Sequence, residues 1–125
     1  MEELEFIYKD LLMRSNQKNH QDTEQQSREN LAALYRLYSK FDWTDLNQTH
    51  AAARVPGNTN HFFIKPDEYL MEEVTASSLS IVDMKGNQVS GNSSVNRAGA
   101  LIHAAILGAR PDINYSAHTH TRAGA

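Results

Sequence analysis

Residues 51–64 read AAARVPGNTNHFFI, and the two ends of this stretch are of one kind while its middle is of another. Ala51 to Val55 and His61 to Ile64 are short, apolar, strand-like pieces, and PGNTN between them is rich in turn formers. The pattern predicts a β-hairpin with a slightly long loop. Downstream, LSIVDMKGNQV (79–89) alternates and then turns at Lys85-Gly86-Asn87, which predicts a second hairpin. A sheet built from hairpins needs helices to cover it, and the flanking segments supply them.

On the N-terminal side, Leu31, Leu34, Tyr35, Leu37 and Tyr38 recur at helical spacing, ending near Phe41-Asp42-Trp43. Thr23 with Gln26 fits a capping box at the start of this helix. Before it, RSNQKNHQDTEQQSREN (14–30) is polar throughout and reads as a linker ending in a helix start. Residues 2–14 read as an amphipathic helix with Leu4, Ile7 and Leu11 on one side. On the C-terminal side, Asn96 to Leu107 carries Ala, Leu and Ile on most sides. It is expected to be a largely buried helix, stopped by Gly108 and Pro111. INYSAHTHT (113–121) then reads as a strand. Helices flanking a sheet of hairpins give a mixed α/β or α+β layered domain. The expected division is residues 1–30 as N-terminal helix and linker, and 31–125 as the domain proper.

Composition narrows the function. A chain of 125 residues suits one domain with a real core. A formal charge of -3 with scattered basic residues argues against nucleic-acid binding. There are no cysteines, so disulfides and thiolate metal sites are excluded. The acidic N-terminus lacks the features of a secretory signal, and no apolar run approaches the roughly 20 residues that span a bilayer. The expectation is a cytoplasmic protein with no membrane or nucleic-acid partner.

A transition metal in this chain must use histidine and carboxylate. His118 and His120 lie one residue apart on the last predicted strand, and side chains at i and i+2 share a strand face. Both imidazoles can therefore aim at one ion, as zinc ligation requires, against a simpler reading in which the pair is solvated on an exposed strand. His20 reads as solvated, His50 and His61 as open in role, and His103 as a satisfied core histidine on the buried helix. SGNSSVN (90–96) precedes a helix N-terminus. Ser93 and Ser94 there are candidates for anion or substrate binding, against a simpler reading in which Ser94 or Asn96 caps the helix.

Residues 31–125 resemble the class II aldolase/adducin family, in particular its adducin-like bacterial branch. The resemblance rests on ordered motifs: ARVPG, FFIKP, EEVTASSL, VD-x-x-G, RPD and the terminal HTHT-x-AG. It implies a three-layer α/β/α sandwich around a mostly antiparallel sheet, and a homo-oligomer, tetrameric in full-length form. It also implies a divalent metal ion, zinc (Zn), held by three histidines, two of them matching His118 and His120. The third belongs to a segment well downstream. In aldolase members the ion polarises a carbonyl of a small sugar-type substrate during cleavage.

Two departures stand beside the resemblance. Aldolases carry a carboxylate near the start of the helix before H-x-H. That position falls on Gly99 or, in another alignment, on Val95, and no Asp or Glu occurs between Asp83 and Asp112. The family turn near THAAAR (49–54) has Ala52 and Ala53 in place of a hydroxyl. His50 sits where the adducin-like branch commonly has histidine. The expectation is an N-terminal fragment of a metal-dependent lyase-like parent, inactive alone, marginally stable and with no assigned catalytic residue. The alternative is a non-catalytic adducin-like binding or scaffold module. A third reading, a non-haem iron enzyme, asks for a carboxylate beside two histidines and finds no obvious one.

Overall fold

The computed structural model describes residues 23–44, 49–91 and 93–120. The predicted helix at 2–14 and His20 lie outside them. Helix α1 runs from Glu24 to Lys40 with no break at residue 30. Thr23 and Gln26 form the predicted capping box, the Thr23 hydroxyl accepting from the Gln26 N–H at 3.1 Å. Asp42, at φ 57°, turns the chain away after the last turn. Leu31, Tyr35 and Tyr38 from the predicted face are buried, while Leu34 is only partly so.

Strands β1 (His50–Val55), β2 (Asn58–Ile64), β3 (Ser80–Asp83), β4 (Gln88–Ser90) and β5 (Tyr115–His118) form one sheet in the order β4-β3-β2-β1-β5. Every neighbouring pair is antiparallel. Both predicted hairpins are present. The first is tighter than expected: Val55 pairs with Asn58 across Pro56-Gly57 alone, with Gly57 at φ 77°. Proline followed by a left-handed glycine is what a type II turn requires. The polar residues Asn58 to Asn60 belong to the strand but are exposed, which is why their sequence reads as loop.

Helix α2 spans Arg97–Ala109, on the opposite side of the sheet from α1. Ala51, Ala53, Val55 and Phe63 join Leu31, Tyr35 and Tyr38 in one core cluster. Ala52, Phe62, Ile64 and Val82 join Ala100, Ala104 and Leu107 in the other. The period-2 alternation of β1 and β2 thus feeds two apolar layers, giving the α/β/α sandwich. The expectation that α2 is largely buried is corrected. Only the stripe Gly99, Ala100, His103, Ala104 and Leu107 faces the sheet, and Leu101, Ile102 and Ile106 are 44%, 49% and 40% exposed. A helix lying on one sheet face buries one stripe, whatever its remaining residues are.

Two buried polar side chains fasten the helices to the sheet. The Tyr35 hydroxyl donates to the Ala51 carbonyl and accepts from the Ala51 N–H at 2.9 Å and the Lys65 N–H at 3.3 Å. It fills the rung beyond Ala52–Ile64, where the β1–β2 ladder stops. Burial pushes its pKa well above the usual phenol range. On the other face the Arg54 guanidinium donates to the carbonyls of Leu107 at 2.6 Å, Arg110 at 3.2 Å and Ile113 at 3.1 Å. It also reaches Thr59 at 2.7 Å. A buried cation against the carbonyl end of α2 satisfies groups the helix leaves open and complements its dipole.

Candidate metal centre

The H-x-H pair sits at the end of β5, an edge strand of the sheet among the described residues. The strand stops at His118, so His120 lies just beyond it rather than within it. The two Nε2 atoms still converge, 2.9 Å apart, with the rings at 88°. Two imidazole nitrogens at zinc-bonding distance and tetrahedral angle lie about 3.3 Å apart. The pair is therefore within a few tenths of an ångström of two adjacent coordination positions, and its donor chemistry fits a divalent ion. His118 is half-buried and His120 exposed, so the pair forms an accessible lip at the edge of the sheet.

Behind the lip is a second pair, not singled out by the sequence as part of a site. His50 opens β1 directly opposite His118 in the β1–β5 register. Its ring stacks on that of His118, with centroids 5.0 Å apart and planes 28° from parallel. His50 is 6% exposed and His103 fully buried. Nδ1 of His50 and Nε2 of His103 share a hydrogen at 2.6 Å, and Nδ1 of His103 meets the Ser116 hydroxyl at 2.9 Å. His103 is thus the satisfied core histidine the sequence suggests, while His50 is no bystander. Burial first, then His118, His120 and Lys65, push the His50 pKa down to about 4. Burial, then His50 and His118, push that of His103 down to about 3. Both are neutral at pH 7. His61 is apart from the group and meets Asn58 at 2.8 Å.

Among the described residues, no group of three or more His, Asp or Glu side chains is arranged to hold a metal ion. Ser93 and Ser94 occupy the loop before α2. The Ser93 hydroxyl donates to Glu68 at 2.5 Å, its carbonyl accepts from the Gln88 amide at 2.8 Å, and the Ser94 carbonyl accepts from the Asp67 N–H at 2.9 Å. Asn96 is the helix cap, accepting from the Gly99 N–H at 3.2 Å. The Ser93 hydroxyl is thus already engaged by a carboxylate.

The sequence profile described as the Class II Aldolase and Adducin N-terminal domain matches residues 29–125. The chain belongs to this family. Its class II aldolase and adducin relatives include rat alpha-adducin, 47% identical over 98 residues that make up 76% of this chain and 13% of that one. An aldolase II superfamily protein from Pseudomonas syringae superposes with a TM-score of 0.76 at 43% identity, covering 86% of this chain and 44% of the other. The L-fuculose 1-phosphate aldolase from Glaciozyma antarctica does so with a TM-score of 0.77 at 26% identity, covering 89% and 47%. The chain spans less than half the length of these relatives.

Within this class II aldolase and adducin domain, Gly99, one of the two positions where the resemblance expects a carboxylate, lies directly against a buried histidine. A Cβ built on Gly99 would lie 2.9 Å from both Cδ2 and Nε2 of His50. No side chain fits at residue 99 while His50 keeps its place. The glycine and the buried histidine therefore form one arrangement. The sequence carries a hint of it: His103 stands four residues after Gly99, on the same face of the helix.

Proposed function

We propose that this domain bears two of the metal ligands of a divalent-metal-dependent, lyase-like enzyme acting on a small carbonyl or sugar-type substrate. His118 and His120 are the ligands, and zinc (Zn) is the ion that suits them best. The observation that carries the reading is the convergence of their Nε2 atoms at 2.9 Å on an accessible edge. When bound, the ion supplies Lewis-acid polarisation of a substrate carbonyl. His118 and His120 orient that centre, and the Ser93–Ser94 loop is the proposed substrate contact. Its hydrogen bond to Glu68 suits a neutral hydroxyl better than a phosphate.

The relatives are more than twice as long as the matched span, and the third ligand is proposed to come from the part of such a longer chain that has no counterpart here. These residues alone are proposed not to turn over substrate. A cytoplasmic homo-oligomer, tetrameric in the longer form, completes the reading, and the exposed Leu101, Ile102 and Ile106 suit it. Among the described residues no helix is long and apolar enough to cross a membrane.

The second reading is a non-catalytic binding or scaffold module of adducin type. One observation favours it: between Asp83 and Asp112 there is no carboxylate to move a proton, and Gly99 has no room for one. Metal analysis of the purified protein separates the two. Near-stoichiometric zinc that disappears in the His118→Ala/His120→Ala double variant supports the metal-dependent reading. Metal-free protein after purification from zinc-supplemented cells supports the scaffold.

A further inference from the structure

The buried half of the histidine cluster has geometry that the metal reading does not use. His103 is hydrogen-bonded through both ring nitrogens, to His50 on β1 and to Ser116 on β5. A neutral imidazole has one donor and one acceptor nitrogen, so a ring held at both ends can neither turn nor change tautomer independently. Two arrangements satisfy the chain. Either the Ser116 hydroxyl donates to His103, which donates to His50, or His50 donates to His103, which donates to Ser116. In both, the Nδ1 edge of His50 is fixed by α2.

The other edge of His50 is fixed by shape. Gly99 leaves the ring room that any Cβ would remove, since contacts at 2.9 Å would force it aside. Held on these two sides, the ring lies against His118 at 5.0 Å and 28°. His118 in turn meets His120 through Nε2. The contacts run unbroken to the lip: Ser116 on β5, His103 on α2, His50 on β1, then His118 and His120. A purely structural histidine needs only its hydrogen bonds satisfied, and does not require its partner to be stacked on a ligand.

We infer that His103, Ser116 and Gly99 are positioning residues that fix the His50 ring against His118 and so pre-aim the H-x-H pair at a divalent cation. This rests on His118 and His120 being ligands. Hydrogen-bonded partners of metal-ligating histidines change affinity by about 10- to 100-fold when removed. His50 acts on His118 by ring stacking, so losing its fixed position costs the ordering of the ligand ring on binding, at the lower end of that range.

The test uses the intact protein, with zinc Kd measured by chelator competition and the His118 ring resonances followed by NMR in the metal-free state. His103→Leu keeps the volume and removes both hydrogen bonds. It is expected to weaken zinc binding by about tenfold or more and to shift the His118 ring resonances. His103→Gln retains one hydrogen-bonding end and is expected to lose less. Ser116→Ala is expected to lose a few-fold, and it serves in place of His103→Leu should that variant not fold. A folded His103→Leu, or in its place a folded Ser116→Ala, with wild-type zinc affinity and unshifted His118 resonances overturns the inference while leaving the ligand reading intact. A wild-type protein that binds no zinc overturns both together.

Discussion

On the α1 face of the sheet, Leu31, Tyr35, Tyr38, Phe63, Met71 and Val74 pack into a mostly apolar layer, tied to β1 through the Tyr35 hydroxyl, with the Tyr38 hydroxyl buried beside it without a hydrogen-bond partner among the described residues. On the α2 face, Ala52, Phe62, Ile64 and Leu107 share the space with buried His50, Arg54 and His103. The same strands supply both layers by alternation, so the difference is one of chemistry and not of topology. The α1 face gains hydrophobic burial with few polar groups to satisfy. The α2 face buries three groups that are costly to desolvate and satisfies them with neighbours instead. Stability is concentrated in the first layer and the candidate site in the second.

The largest expected effect is on the apolar layer. Phe63→Ala removes a fully buried ring and is expected to cost about 3–5 kcal/mol in chemical denaturation. In molecules that remain folded, zinc affinity should stay within about twofold, since the ring faces away from the histidines. A tenfold loss of zinc affinity there would break the division of labour between the faces.

A smaller effect separates the faces by pH. The folded-state pKa values of His50 and His103, about 4 and about 3, lie below the unfolded value near 6.5. The unfolded chain therefore takes up protons that the folded chain refuses. The stability these neutral rings contribute is fully present above about pH 6.5 and is lost as pH falls through the window down to 4 and 3. In metal-free protein at pH 5 the loss is expected to be on the order of 1 kcal/mol per imidazole relative to pH 7.5. His103→Leu should flatten this dependence and Phe63→Ala should leave its slope unchanged, as read from denaturation midpoints across pH.

The smallest expected effect is outside both layers. Ile102 is 49% exposed, so Ile102→Ser should change the stability of the monomer by no more than about 0.5 kcal/mol. A larger change that grows with protein concentration would show that α2 has a second covered face in an oligomer.

What the sequence discloses follows the same division. Helix α1, its Thr23–Gln26 cap and both hairpins are legible because their signals are local: 3.6-residue spacing, a capping pair and turn residues between apolar runs. The first turn reads as longer than it is because Asn58 to Asn60 are exposed strand residues with loop chemistry. The spacing of His118 and His120 is legible in the sequence, but the strand expected to align them ends at His118, and His120 comes to face it from just beyond the strand. The link of the pair to His50 is not legible, because it depends on the β1–β5 register, which joins residues 50 and 118. The burial of His103 is readable from the helix face, but its tie to His50 requires α2 to lie across β1 and β5. The role of Arg54 is hidden for the same reason, since its partners all lie on segments distant from β1 or across its own turn.

The most direct test of the account is a titration of the metal-free protein with Co²⁺, a visible-absorbing stand-in for zinc, in the wild type and in His118→Ala/His120→Ala. With His118 and His120 as ligands, a d–d absorption band is expected that saturates at about one ion per chain, is displaced by zinc, and is absent from the double variant. A wild-type protein with no such band, or a double variant that binds cobalt as tightly, would contradict that assignment.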